Sequence, residues 1–208
     1  MTAPDLASAA FRHALHGRAV FPLAAGSKKP VAGSHGLSDA TREVDVIRVR
    51  WTKNPRANIG IATGSRSGFW ALDIDPRHGG DKTLKALVGA HEKLPVTVSV
   101  RTPSDGLHMW WRCPADGRVI RNSAGRIGPG IDARGEGGYV ISPPSILRGG
   151  RCYCWIDGST EILPAPDWLV ALALPPPPPP RQESKPLTAD VSRYPARGTR
   201  VQPHCSSV

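Results

Sequence analysis

The sequence lacks long apolar runs. Its longest apolar stretch, residues 168–174, ends at a run of prolines, whereas a helix that spans a bilayer needs about 20 apolar residues. The first residues also lack the basic segment and apolar core of a secretory signal. The sequence therefore predicts neither a transmembrane nor an exported protein.

Cysteine is scarce as well. The 208 residues contain four cysteines, Cys113, Cys152, Cys154 and Cys205. Cys152 and Cys154 have the spacing of neighbours on one face of a strand, and no second ligand pair stands at the spacing of a zinc site. Because the pattern is typical of neither a disulfide framework nor a zinc site, we expect a reduced chain in the cytoplasm.

Basic residues, by contrast, are in excess. The chain has 27 Lys and Arg against 17 Asp and Glu, which gives a net charge of +10. A strongly basic protein favours a polyanionic partner, such as a nucleic acid or a nucleotide.

A composition change divides the chain. Residues 175–180 are six consecutive prolines, which form a polyproline II spacer and cannot continue a helix or a central strand. The residues after them are basic and poor in apolar side chains, a composition typical of disorder. We therefore expect one ordered domain over residues 5–173 and a spacer with a disordered basic tail over residues 174–208.

Hydrophobic periodicity predicts short strands with helices before and between them, which is an α+β sheet domain. The second helix is expected to be capped by Ser38 or Asp39. The predicted helices cover residues 5–18, 39–51 and 81–91. The predicted strands cover residues 19–23, 58–64, 68–75, 96–102, 107–112, 131–134 and 139–142.

Two aspartates end an apolar strand. Because side chains alternate along a strand, Asp73 and Asp75 are expected on one face. Two neighbouring carboxylates repel each other, and Mg²⁺ or Mn²⁺ between them would relieve the repulsion. The alternative is that both side chains cap the following turn and bind nothing.

A predicted hairpin presents a histidine. His108 follows the turn at residues 103–106, where Ser104 and the Gly106 amide could help it bind a phosphate. The alternative is a histidine with a structural role only.

A third segment places a carboxylate beside a cation. Asp132 and Arg134 share a strand face, and Gly137 and Gly138 permit a tight turn or a close approach to a ligand. The alternatives are a surface ion pair, worth less than about 1 kcal/mol, and a simple hairpin. Taken together, the three features are typical of metal-assisted nucleotidyl transfer. In that reaction, positioning of the reactants and neutralisation of their charge supply most of the catalytic effect.

These segments resemble the ordered motifs of the bifunctional primase–polymerase (prim-pol) domain of the archaeo-eukaryotic primase superfamily. The resemblance spans roughly residues 7 to 170. The three main motifs lie at residues 72–75 (LDID), 101–108 (RTPSDGLH) and 131–145 (IDARGEGGYVISPPS), and earlier ones lie at residues 20–23 (VFPL), 28–30 (KKP) and 58–64 (NIGIATG).

The resemblance implies the roles of particular residues. Asp73, Asp75 and Asp132 would be the catalytic acids that bind Mg²⁺ or Mn²⁺, and His108 would contact the phosphates of the incoming nucleotide. Further nucleotide or template contacts would come from Ser104, Arg101, Arg134, Lys28 and Lys29.

The resemblance also implies a fold, substrates and a biological setting. The fold would combine an RRM-like catalytic half with a smaller N-terminal αβ half, and the active site would lie between them. The substrates would be a single-stranded DNA template with its primer and NTPs or dNTPs. Because the chain contains no Gly-x4-Gly-Lys-Ser/Thr loop, we expect a protein that works alone, that recruits a separate helicase, or that is a remnant on a mobile element. The setting would be the replication of a plasmid, a phage or another mobile element.

The sequence departs from the family pattern at two positions. Asp75 stands where relatives often carry Glu, and Asp105, where glycine is frequent, adds a negative charge near the expected triphosphate site.

One alternative function is that of a degenerate domain that binds DNA or nucleotide without catalysis. A nuclease or a glycosyltransferase is a further class, which the Ser-x-Gly-x-His segment does not suit.

Overall fold

The computed structural model describes residues 5–156 and 161–175 of the chain. The proline spacer and basic tail predicted over residues 174–208 lie outside the described residues, apart from residues 174 and 175. The helices are α1 (Leu6–Leu15), α2 (Val44–Lys53), α3 (Gly80–Ala90) and α4 (Asp167–Ala173), and short 3₁₀ turns cover Gly36–Asp39 and Pro76–His78. The strands are β1 (Val20–Leu23), β2 (Asn58–Ala62), β3 (Phe69–Ile74), β4 (Ser99–Arg101), β5 (Leu107–Arg112), β6 (Ser123–Gly128), β7 (Ile131–Arg134), β8 (Tyr139–Ser142), β9 (Cys154–Ile156) and β10 (Leu163–Pro164).

The strands form two sheets, so the predicted α+β class is confirmed. The smaller sheet has the order β1-β2-β8 and is antiparallel. The larger sheet has the order β6-β7-β3-β5-β4-β9, and β10 adds a parallel pair beside β5. Within residues 5–156 and 161–175, every helix is too short or too polar to cross a bilayer.

The larger sheet carries a hydrophobic cluster on each face. On one face, Phe69, Ala71 and Trp110 pack with residues of the smaller sheet, α1 and α2. On the other face, Trp70, Leu72 and Trp111 pack with residues of α4. Because side chains alternate along β3, Asp73 belongs to the face that meets the smaller sheet.

The sequence predicted most of the central elements but placed the second helix wrongly. Residues 39–51 were expected to be helical, whereas α2 begins at Val44. Thr41 instead exchanges two backbone hydrogen bonds with Val20 at the edge of the smaller sheet, which holds the chain extended before the helix. Asp39 does not cap α2, because its carboxylate accepts from the backbone amide of His35.

The glycine-rich segment after β7 is not a hairpin. It leads from β7 in the larger sheet to β8 in the smaller one, and Gly137 takes a left-handed φ of 78°. The sequence did not predict β6, β9, β10 or α4. The other three have too few residues for a clear periodic pattern, whereas β6 is six residues long but contains only Ala124 and Ile127 as apolar side chains, which do not alternate.

A buried histidine links α1 to the smaller sheet. His13 Nδ1 accepts from the Arg18 guanidinium at 3.2 Å, since arginine can only donate. The other ring nitrogen, Nε2, therefore carries the proton and donates to Ser142 Oγ at 2.7 Å. Burial, together with the positive charge of Arg18, lowers the pKa of His13 to about 3. His13 therefore has a structural role, because it joins α1 to β8 of the smaller sheet.

We expect His13 to make the folded protein less stable in mild acid. The pKa of this side chain falls from an ordinary 6.5 to about 3 on folding, so between these values the unfolded chain binds the extra proton and the folded chain does not. Linkage then makes the free energy of unfolding fall as the pH drops below 6.5. The measurement is urea unfolding between pH 4 and pH 8, with NMR of the imidazole; a His13 ring that titrates normally near 6.5 would contradict it.

Candidate active site

Strand register brings three of the predicted residues together at the centre of the larger sheet. Asp73 on β3 lies directly opposite His108 on β5 and directly opposite Asp132 on β7. In an antiparallel sheet such partners point to the same face, about 5 Å apart at Cβ. Residues from three separate motifs therefore meet because β3 pairs with both neighbours.

Arg134 joins the two carboxylates. Its Nε and Nη2 donate to Asp73 Oδ2 at 3.1 and 3.0 Å, and the same Nη2 donates to Asp132 Oδ2 at 2.8 Å. All three side chains are about a quarter to a third exposed. Two like charges directly opposite each other destabilise a sheet, and the guanidinium between them offsets this repulsion.

The surroundings keep Asp73 ionised. Burial raises the pKa of this carboxyl group, but contact with His108 and the charge of Arg134 outweigh burial and lower the pKa to about 2. Asp73 Oδ1 lies 3.4 Å from His108 Nε2. At neutral pH the site therefore offers carboxylate oxygens, the ligands that Mg²⁺ and Mn²⁺ prefer.

Asp132 is held from a second direction. Its Oδ1 accepts from the backbone amide of Gly125 at 2.8 Å. Gly125 lies on β6 with a left-handed φ of 62°. The β6–β7 hairpin, which the sequence did not reveal, thus fixes the orientation of this carboxylate.

Asp75 is turned away from the other two acids. Its carboxylate accepts from Arg77 Nη2 at 2.7 Å and faces His78 Nδ1 at 3.0 Å, and it also accepts from the Arg77 backbone amide. The side-chain hydrogen bond from Arg77 holds the pKa of Asp75 well below its usual range. Asp75 therefore caps the 3₁₀ turn. The alternative interpretation of the sequence predicted that both aspartates cap this turn, and Asp73 does not.

Sequence reasoning missed Arg77 and His78 as partners of Asp75. The signal was available, because an aspartate followed by Pro76 is a typical start of a short helical turn, with its side chain accepting from the second residue on. Tyr153 was missed for the opposite reason. It is buried with its ring 6.0 Å from that of His108, a contact between distant segments that no local pattern reveals.

His108 is more buried than its predicted role suggests. Its side chain is 8% exposed. Nε2 faces Asp73, and Nδ1 has no hydrogen-bond partner among the described residues. In this structure the imidazole therefore contacts an acid, and its contact with a phosphate stays a prediction.

The hairpin before His108 is closed by hydrogen bonds within its own turn. The Gly106 amide donates to Thr102 Oγ1 at 3.1 Å, so this amide is engaged rather than open to an anion. Asp105 takes a left-handed φ of 59°, a conformation that favours glycine. Its extra charge is offset by Arg151, which donates to it at 2.8 Å.

The remaining predicted residues do not contact the acids. Ser104 is half-buried in the hairpin turn, and Arg101 is exposed on β4. Lys28 and Lys29 are exposed in the loop after β1, where the Lys28 carbonyl accepts from the Tyr139 hydroxyl. Within the described part of the chain, none of these four side chains has an ion-pair partner.

A divalent cation fits this site only in part. Among residues 5–156 and 161–175, no three Asp, Glu, His or Cys side chains converge as a metal-binding group. Mg²⁺, however, is commonly held by one or two carboxylates together with substrate phosphates and water. Asp73 and Asp132 provide such a pair, and the guanidinium between them shows that the pair takes a positive counter-charge.

A cavity of about 250 Å³ lies beside the glycine-rich segment rather than at the acids. Its lining residues are Leu37, Ser38, Thr63, Arg66, Glu136, Gly137 and Gly138. Glu136 is held in place there by the Ser65 amide, which donates to its carboxylate at 2.8 Å.

The fold and the site agree with a family relationship. The family model of Prim-Pol, the N-terminal domain of bifunctional DNA primase/polymerase, matches residues 10–168. This chain belongs to that family. Membership supports a primase- or polymerase-type function, with nucleic acid and nucleotides as substrates. A search of curated proteins finds no match to this chain.

We expect Arg134→Gln to raise the pKa of Asp73 from about 2 toward its ordinary 3.8, because the variant loses a positive charge and two hydrogen bonds. In the wild type the low pKa stabilises the fold above pH 3.8, and this stabilisation is lost as the pH falls toward 2. When Asp73 is fully ionised, this stabilisation amounts to about 2 kcal/mol. Carboxyl NMR titration and acid unfolding would measure both effects.

The matched control is Arg118→Gln, which breaks an ion pair with Asp116 instead. This variant should leave the Asp73 titration unchanged. If Arg134→Gln also left it unchanged, the bridging role of Arg134 would be wrong.

Proposed function

We propose that this protein is a DNA primase/polymerase that transfers nucleotides from NTPs or dNTPs to a primer on a single-stranded template. The observation that carries the proposal is the direct cross-strand pairing of Asp73 with Asp132 in a chain of the Prim-Pol family. The net charge of +10 suits a nucleic-acid backbone.

Asp73 and Asp132 would hold Mg²⁺ or Mn²⁺ through their carboxylate oxygens. When bound, such an ion lowers the pKa of an attacking hydroxyl group and neutralises the charge of the triphosphate. The two side chains are suited to this because Asp73 is ionised at neutral pH and because Asp132 is oriented by the Gly125 amide.

Asp75 is proposed as the third acid, so that the three carboxylates together would hold two metal ions. It would have to leave Arg77 and His78, which bind it at about 3 Å or less. The Asp75 side chain is 26% exposed, so water can reach the pair and the exchange involves no buried charge.

Arg134 would move from the carboxylates to the triphosphate. A guanidinium binds phosphate oxygens in the same bidentate way as carboxylates, and a cation between the two acids would release it. His108 would keep Asp73 in place and contact the phosphates, together with Ser104 and Arg101. The exposed Lys28 and Lys29 would contact phosphates or the template.

The wider setting is proposed from the sequence. We place the protein in the cytoplasm, in the replication of a plasmid, phage or other mobile element, with a separate helicase as its possible motor. Neither the helicase nor an oligomeric state is needed for the chemistry of Asp73 and Asp132.

One observation favours a second function, a domain that binds DNA or nucleotide without catalysis. Arg134 already binds both acids, and an arginine that never leaves would keep a metal ion out. A primer-extension assay separates the two functions, because a binding domain would retain the template and yield no product.

The proposed function predicts that Asp73→Asn and Asp132→Asn each lower primer extension by at least about a hundredfold, because each removes a charge from the reacting centre. The assay combines purified protein, single-stranded template with primer, labelled nucleotides, and Mg²⁺ or Mn²⁺. The matched control is Asp45→Asn, an aspartate that is 91% exposed and pairs with Arg48 on α2. Wild-type rates from both Asp73→Asn and Asp132→Asn, with folding intact, would refute the proposal.

A second prediction separates the two roles of Asp75. If Asp75 is a catalytic acid, Asp75→Asn abolishes extension and Arg77→Ala, which frees the carboxylate, retains it. Extension rates and unfolding free energies are measured for both variants. Loss of stability in Asp75→Asn without loss of extension would show that this residue only caps the turn.

A further inference from the structure

Two exposed cysteines lie side by side at the edge of the larger sheet. The Sγ atoms of Cys152 and Cys154 are 2.7 Å apart, and both residues are exposed free thiols. The proposed nucleotidyl transfer uses neither of them. The edge strand β9, which contains Cys154, ends the strand order of the sheet.

The local backbone explains why the sulfurs meet. Two residues at i and i+2 of a strand are about 6.6 Å apart at Cα, which is near the upper end of the roughly 4.4–6.8 Å that a disulfide spans. Here the chain also changes partner between them, since Cys152 bridges Ile146 whereas Cys154 pairs with Arg101 on β4. The two side chains nevertheless point to the same side of the strand.

We propose that Cys152 and Cys154 are a redox-active dithiol that closes to an intramolecular disulfide when the protein meets a low-molecular-weight disulfide such as oxidised glutathione. One cysteine thiolate attacks the glutathione disulfide, forms a mixed disulfide and releases one glutathione thiolate. The second cysteine thiolate then attacks the mixed disulfide and releases the other. In total two cysteine thiols are oxidised and one glutathione disulfide is reduced to two thiols.

Cys113 is the natural internal control. It is half-buried, and burial, with the nearby charge of Glu136, raises the pKa of its thiol. The pKa of the Cys154 thiol is raised as well, so the feature that distinguishes Cys113 is its smaller exposure, which limits the access of oxidised glutathione. Oxidation should therefore select Cys152 and Cys154.

The residue between the two cysteines reaches the candidate active site. Tyr153 points to the opposite face, where it is buried and its ring lies 6.0 Å from that of His108. A disulfide that constrains the backbone around Tyr153 would shift its ring against His108.

The first experiment needs no enzymatic activity. The reduced full-length protein is incubated with oxidised glutathione, and free thiols and intact mass are then measured. We expect the four thiols to fall by two, a mass loss of about 2 Da, and a Cys152–Cys154 linkage in the peptide map. Cys113→Ser should behave in the same way.

Single variants supply the contrast. Cys152→Ser and Cys154→Ser should show no loss of mass and should instead gain one glutathione on the remaining thiol. Two glutathione adducts on the wild type, or a disulfide that maps to Cys113 or Cys205, would overturn the proposal.

The effect on the site rests on the proposed function and is tested separately. We expect the disulfide to slow primer extension by about fivefold or more and to shift the imidazole NMR signals of His108. The Cys152→Ser/Cys154→Ser double variant should show neither change. An unchanged His108 signal in the oxidised protein would refute the coupling, while a protein that never extends primers would refute the function and leave the thiol result intact.

Discussion

The bridge from Arg134 to Asp73 and Asp132 is the interaction on which the candidate site depends. The pairing of β3 with β7 sets two carboxylates directly opposite each other, an arrangement that repels. A planar guanidinium that donates to both carboxylates offsets the repulsion at distances of 2.8 to 3.1 Å. The pair is thus stable without a metal ion, and the same strand register explains why a positive charge is needed between the two carboxylates.

Both faces of the larger sheet carry a hydrophobic cluster, and the candidate site lies at the end of one of them. Alternation along β3 sends Trp70 and Leu72 to one hydrophobic cluster, and Phe69 and Ala71 to the other. Asp73 continues the second row, so the polar site lies at the end of an apolar face. Water is limited there, which strengthens the ion pairs of Asp73. The buried Tyr153 contributes to this limited exposure, because its ring lies close to that of His108.

Backbone conformation explains two features that sequence patterns left open. Asp105 stands where glycine is frequent in the family, and its φ of 59° gives the physical reason for that preference. The charge at this position, which seemed unfavourable for a phosphate, is offset by Arg151. At the same end of β3, the closely packed Gly80 and Gly130 leave no room for side chains. This contact holds the start of α3 against the turn between β6 and β7.

The sequence by itself determined the class of the domain, its central strands and the family, because periodic apolar residues and ordered motifs are local signals. It identified Asp73, His108, Asp132 and Arg134 as one group, and alternation placed each on the correct face. Only the tertiary structure decided that Arg134 lies between the acids and that Asp75 turns to Arg77. Strand register and rotamer choice depend on contacts between segments far apart in the chain. For the same reason β6, β9 and the contact of Tyr153 with His108 could not be predicted: their partners, not their own residues, hold them in place.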